Sequence, residues 1–270
     1  MKKSIIPALL ILLTLPAVAQ KRVQEIGIFL GGSYYTGDLN PNGHFNSLTK
    51  PAAGVAHRFS FNDRFTLRNA IYFGTIAGDD ARSASFSQQQ RNLSFKSRIY
   101  EFHSVAEFNF LEYEIGDEKR MFTPFMFAGV SAYNFSPKAL LGNQWVGLQQ
   151  LHTEAQSKPY KLTQIAIPFG AGIKTMLAER IGLVVEWGLR KTFTDYLDDV
   201  STVYANPADI ALYGGAAGLA LADRSTSSDP ISNIGRQRGN PRTKDWYSFA
   251  GVTLSFKLKE KEKRCSSYKY

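Results

Sequence analysis

Eight separate stretches of this chain alternate oily residues with small or polar ones, one for one. A period of two is the repeat of a β-strand, whose successive side chains point to opposite faces. In the first stretch, residues 25–35, Ile26, Ile28, Leu30 and Tyr34 share one face, and Glu25, Gly27, Gly31 and Ser33 the other. The second covers 52–61 and ends at the tight turn Asn62-Asp63-Arg64. The third, 65–77, sets Phe65, Leu67, Ile71 and Phe73 against Thr66, Arg68 and Tyr72, and the fourth, 95–110, sets Tyr100, Phe102, Ala106 and Phe108 against Glu101, His103 and Glu107. A fifth spans 122–135. In the sixth, 162–175, Ile165, Ile167, Phe169 and Ile173 oppose Gln164, Gly170, Gly172 and Lys174. The seventh opposes Ile181, Leu183, Val185, Trp187 and Leu189 to Gly182, Glu186, Gly188 and Arg190, and the eighth occupies 245–258. Connectors run long, short, long, moderate, long, short, long, with loops expected over 78–93, 136–160 and 194–244.

An even number of amphipathic strands joined by alternating short and long connectors is the pattern of an outer-membrane barrel. Lys2-Lys3, the apolar run 5–15 and Ala17-Val18-Ala19 read as an export signal cleaved before Gln20. The expected organisation is a leader over 1–19, an all-β, eight-stranded antiparallel transmembrane β-barrel over 20–258, and a basic periplasmic tail over 259–270. Long loops would face outside and short turns the periplasm. A secreted β-sandwich would alternate as well. Aromatic residues near the strand ends (Tyr34, Tyr35, Tyr133, Phe135, Trp187, Phe193, Trp246, Tyr247) favour the barrel, because they read as interfacial girdles. No later stretch has the uninterrupted apolar length of a spanning helix. A single cysteine excludes a disulfide framework and a cysteine-rich zinc site.

The alternation assigns Arg68, Glu101, His103, Glu107, Lys174, Glu186 and Arg190 to the interior. Against lipid an Arg or Lys would cost about 2–4 kcal/mol at the midplane, whereas inside they can pair into a polar plug that fixes strand register. No catalytic constellation stands out. His44, His57, His103 and His152 are scattered, there is no H-E-x-x-H or G-x-S-x-G, and Gly31-Gly32 and Gly214-Gly215 lack a phosphate-loop context. No cofactor is expected. The run Asp195-Tyr196-Leu197-Asp198-Asp199 reads as a loop-start cap, with a divalent-cation site as the sharper alternative. Residues 207–222, rich in Ala and Gly, suit either a helix over the barrel mouth or a disordered loop. The formal charge of +9 is spread without an aromatic-basic stripe, so nucleic acid is not an expected partner, while lipid is. An unpaired Cys265 in an exported chain points to a reactive thiol or an intermolecular bridge, or is incidental.

Several segments together resemble the PorG-like outer-membrane barrels of the type IX secretion system. They are Gly32-Ser-Tyr-Tyr-Thr-Gly-Asp-Leu-Asn-Pro41, Arg68-Asn-Ala-Ile-Tyr-Phe-Gly74, Arg98-Ile-Tyr-Glu-Phe102, Pro124-Phe-Met-Phe-Ala-Gly129 and Ile167-Pro-Phe-Gly-Ala-Gly172. The most distinctive is Glu186-Trp-Gly-Leu-Arg190 followed by Thr194-Asp-Tyr-Leu-Asp-Asp-Val-Ser201. The resemblance implies a non-enzymatic barrel that anchors a periplasmic ring built from a PorK-like lipoprotein and its PorN-like partner. It also implies a disulfide between barrel and lipoprotein, a role that Cys265 alone could fill here. A small passive pore is the competing expectation, and an enzyme acting on lipid a third, which would need a nucleophile at the lipid interface.

Overall fold

Residues 23–41, 43–225 and 233–259 are described by the computed structural model. Their strands are β1 (Val23–Thr36), β2 (Lys50–Ser60), β3 (Phe65–Asp79), β4 (Ser94–Asn109), β5 (Phe122–Leu141), β6 (Gln144–Gly147), β7 (Thr163–Ala178), β8 (Ile181–Thr192) and β9 (Trp246–Lys257). Neighbours are antiparallel throughout. β1 pairs with both β2 and β9, and β4 pairs with β5, so eight strands form a closed ring with β6 outside it on β5. Closure leaves no unpaired edge, which is the condition for a sheet to cross hydrocarbon.

The seam between first and last strand is tight. Gly31 lies opposite Gly251, and a Cβ on Gly31 would stand 2.2 Å from the Ala250 carbonyl oxygen. Only glycine lets the two backbones approach so closely there.

Every ring strand turns large apolar side chains outward. Ile28, Val55, Ile71, Phe102, Val130, Ile165, Val185 and Leu254 sample the full circumference. Val130 and Ile165 are each 67% exposed, levels that a water-soluble surface tolerates singly but not as a continuous belt. Among the described residues no helix is long and apolar enough to cross a membrane.

The long-loop half of the interior is apolar. Phe29, Tyr72, Tyr133, Phe135, Tyr247 and Phe249 fill it and continue into a cap where Leu39, Leu93, Leu151, Leu197 and Leu221 are buried. This corrects the aromatic-girdle reading for half of its residues. Tyr35, Tyr133, Phe135 and Tyr247 point into the barrel, because in neighbouring pairs such as Tyr34-Tyr35 and Trp246-Tyr247 alternation sends one ring each way. Trp187 and Phe193 stay exposed, whereas Tyr34 is covered on the outer wall by His44 and Phe45.

One loop carries more structure than the sequence reading gave it, and another takes one of its two expected forms. The span expected to be loop from 136 begins as strand, because Phe135, Pro137 and Ala139 keep the alternation. The chain then reverses at Gly142 (φ +60°) and Asn143 into β6. Glycine first in a two-residue hairpin loop matches the twist of the strands it joins. Segment 207–222 is helical, Pro207–Ala222, but kinked at Gly215 (φ +56°, ψ −151°), and is capped by Asn206, whose side chain accepts the Ala208 amide (3.0 Å).

Candidate functional site

The closed ring gathers its charges in the half nearer the short turns. Four carboxylates (Glu25, Glu101, Glu107, Glu186) share the interior with four cations (Arg58, Arg68, Lys174, Arg190), all buried. Glu107 is the hub: it lies 3.3 Å from Arg58, 3.0 Å from Arg68 and 2.6 Å from Lys174. Glu186 pairs with Arg68, lies 3.6 Å from Arg58, and accepts the Tyr72 hydroxyl at 3.1 Å. Lys174 also donates to Asn109 at 3.0 Å. Nearer the middle of the barrel, Glu101 holds Arg190 (3.1 Å), the Tyr247 hydroxyl (2.6 Å) and His103 Nδ1 (2.8 Å).

Several of these pairs join strands that are not neighbours. Arg68 on β3 reaches Glu186 on β8, and Arg190 on β8 reaches Glu101 on β4, each across the bore. The cations also lie over inward rings: Arg68 over Phe127 (4.6 Å), Lys174 over Phe125 (4.6 Å) and Arg190 over Phe249 (4.8 Å). Arg68, Lys174 and Arg190 are thus each paired and stacked, which offsets the cost of taking them out of water. All seven residues assigned to the interior from sequence lie in this network. Glu25 and Arg58 join them: they face one another across β1 and β2, and Arg58 donates to Ser255 at 3.0 Å. Arg58 was overlooked, although Val55 and Phe59 outside fix the phase that sends it inward.

Both mouths are closed. At the short-turn end, residues 110–121 fold across the opening and bury Tyr113 and Ile115. Lys257 ties this turn down by donating to Glu114 (2.8 Å) and to the Ile115 carbonyl (2.6 Å). At the other end, Glu154 accepts the Ser201 amide (2.9 Å), the Thr202 hydroxyl (2.7 Å) and Arg238 (2.9 Å), binding three loop segments into one cap.

The acidic run is spent on this cap. Asp195 accepts the Ser201 hydroxyl (2.7 Å), Asp198 the Val200 amide (2.9 Å), and Asp199 the hydroxyls of Thr153 (2.5 Å) and Tyr160 (2.7 Å). The Tyr35 hydroxyl sits between Asp198 (2.5 Å) and Asp245 (2.9 Å). A phenol has one proton to give, so the second carboxyl must bring its own. Burial pushes Asp195 and Asp199 up to about 6 and holds Asp198 and Asp245 well above the ordinary carboxylate range. Among the described residues no group of three His, Cys, Asp or Glu side chains converges to hold a metal ion.

The histidines stay apart: His44 meets Tyr34, His57 meets Gln24, His103 meets Glu101 and His152 the Gln156 carbonyl. Cys265, the candidate partner-binding residue, lies outside the described residues, as do the leader and all of the tail beyond Lys259.

Fold and site together define a class: a closed eight-stranded antiparallel barrel with an oily exterior and a bore filled by paired charges. The chain belongs to the family described as "Domain of unknown function (DUF6089)", whose model matches residues 3–213. Among solved structures it is similar to Neisserial surface protein A, at 9% identity and a TM-score of 0.44, covering 88% of this chain and 100% of that one. It is similar also to Ail, the attachment invasion locus protein of Yersinia pestis, at 8% identity and a TM-score of 0.42, with coverages of 88% and 100%. OprG from Pseudomonas aeruginosa gives 8% identity, a TM-score of 0.40 and coverages of 88% and 99%. None of the curated proteins compared matches the chain.

Proposed function

We propose that this chain is an outer-membrane protein that acts as a non-catalytic anchor, working through its two ends and not through its bore. The observation that carries this reading is the occupied interior: cross-bore ion pairs in one half, aromatic rings in the other, and a folded segment over each mouth. Water and solutes need a continuous polar path, and eight strands enclose little more than their own side chains. The apolar belt supports a place in lipid, with the long loops outside and the short turns facing the periplasm.

The finer reading rests on the resemblance to PorG-like barrels. In it, the short-turn face and the tail 259–270 hold a PorK-like lipoprotein and its PorN-like ring partner, with Cys265 as the covalent link. A cleft of about 840 Å³ on that face, bounded by Gly116, Met121, Met176, Leu177, Arg180 and Lys257, offers a place for a partner to seat.

Affinity purification from native outer membranes tests this directly. A ring lipoprotein should stay attached on non-reducing gels and separate on reduction or in Cys265→Ser. Monomer alone, with no co-purifying ring component, would overturn the anchor. The competing small pore is tested in planar bilayers, where wild type should pass no current and Glu186→Ala should lose stability without gaining conductance. A current that tracks Glu186 would favour the pore.

A further inference from the structure

The long-loop rim has an uneven distribution of charge. Many of its acids are turned inward: Asp80 holds Arg91, Glu154 holds Arg238, and Asp195, Asp198, Asp199 and Asp245 are buried in the cap, while Asp79 pairs with Arg82 and Asp209 on the helix is exposed. On the outer wall of β4 and β5 three cations are left facing out, Lys96, Arg98 and Lys138. Among the described residues no carboxylate forms an ion pair with any of them.

Their arrangement is costly without a counter-charge. Lys96 and Lys138 are direct cross-strand partners, and Arg98 follows two residues along on the same face. Like charges set opposite one another destabilise an antiparallel pair, and an anion between them removes the penalty. A phosphate group, with up to two charges and three strong acceptor oxygens, suits three cationic donors set side by side on one face.

What lies next to the cations selects the source of that phosphate. Trp145 on β6 stands with its ring 5.5 Å from Lys96 Nζ. Below Arg98 the same face continues as Tyr100, paired with Phe73, and then Phe102, all exposed. From the rim toward mid-barrel the order is therefore cation, aromatic, oil, the order a lipid presents from phosphate to acyl chain. A free anion would use the cations and leave the rings without a role.

The geometry points to a lipid-binding surface. A phosphate-bearing lipid of the leaflet at the long-loop end seats its phosphate among Lys96, Arg98 and Lys138 and lays its chains along Tyr100, Phe73 and Phe102. The inference rests on the membrane reading above.

The test uses the full chain and the variant K96Q/R98Q/K138Q in phosphatidylcholine nanodiscs doped with bis-phosphorylated lipid A. Folding is first checked by the heat-dependent gel shift, and bound lipid is then read by native mass spectrometry. Wild type is expected to retain lipid A at least ten-fold more tightly than the triple variant. Dephosphorylated lipid A should bind both equally weakly, and K119Q at the opposite end should behave as wild type. Equal retention by wild type and triple variant, or an equal loss in K119Q, overturns the site. Displacement by inorganic phosphate as readily as by lipid A overturns the lipid as its occupant. A detergent-requiring, folded barrel with no lipid preference sinks this inference alone. A chain freely soluble without detergent sinks the membrane reading and this inference with it.

Discussion

A single carboxylate decides how the charged half of the bore holds together. Glu107 touches Arg58, Arg68 and Lys174, so truncating it takes a counter-charge from three buried cations at once, leaving Arg58 and Arg68 to share Glu186. Removing one partner of a buried pair costs about 3–5 kcal/mol. Glu107→Ala should lower the urea midpoint of the detergent-folded barrel by that order, more than the same change at Glu186, which contacts two of those cations. The cap responds to pH in a defined direction. Asp195 and Asp199 rise from an ordinary 3.8 to about 6 on folding, so the folded state binds protons more tightly than the unfolded one. Their contribution is complete below about pH 4 and is lost as pH rises through about 6. Proteolysis of residues 194–225 should accordingly be slower at pH 5 than at pH 8. Asp198→Asn, which replaces one of the two carboxyls at Tyr35 by a group needing no proton, should reduce that difference; an unchanged pH profile would remove the Asp198–Tyr35–Asp245 cluster from its causes.

At the level of elements, the closures are the parts most open to measurement. Ile115 is fully buried beneath the short-turn mouth, against Gly182. Ile115→Ala should cost about 2–5 kcal/mol in the unfolding midpoint, the usual range for emptying such a site. Asn206→Ala should cost about 1 kcal/mol through the lost cap of the helix Pro207–Ala222, seen as faster amide exchange confined to its first turn. The strands were legible in the sequence because each has one oily side, and that side fixes both the existence of the strand and its phase. Arg68, Glu101, His103, Glu107, Lys174, Glu186 and Arg190 followed from phase alone. The connectors were not legible in this way. Ile115 and Tyr113 sit in a charged turn where they look incidental until the turn folds inward. The cap's carboxylates find their donors at Tyr35, Thr153 and Tyr160, from 39 to 163 residues away in the chain, a separation at which local pattern says nothing.

For the molecule as a whole, the ring of oily side chains predicts a protein that stays in solution only with detergent or lipid and migrates differently on gels before and after heating. Recovery of the folded chain as a free monomer in plain buffer would contradict the architecture's proposed setting. The glycine-lined join of β1 to β9 also carries a lesson about order of assembly. Arg68 and Glu101 are synthesised early, yet the residues that neutralise them across the barrel, Glu186 and Arg190, belong to the second-last strand. Until the C-terminal hairpin arrives, a partly built sheet carries incompletely paired charge on the side that must become its inside. On the outer-membrane reading proposed above, an unfinished chain would therefore meet the bilayer with unbalanced charge, and electrostatics would favour entry of the complete barrel.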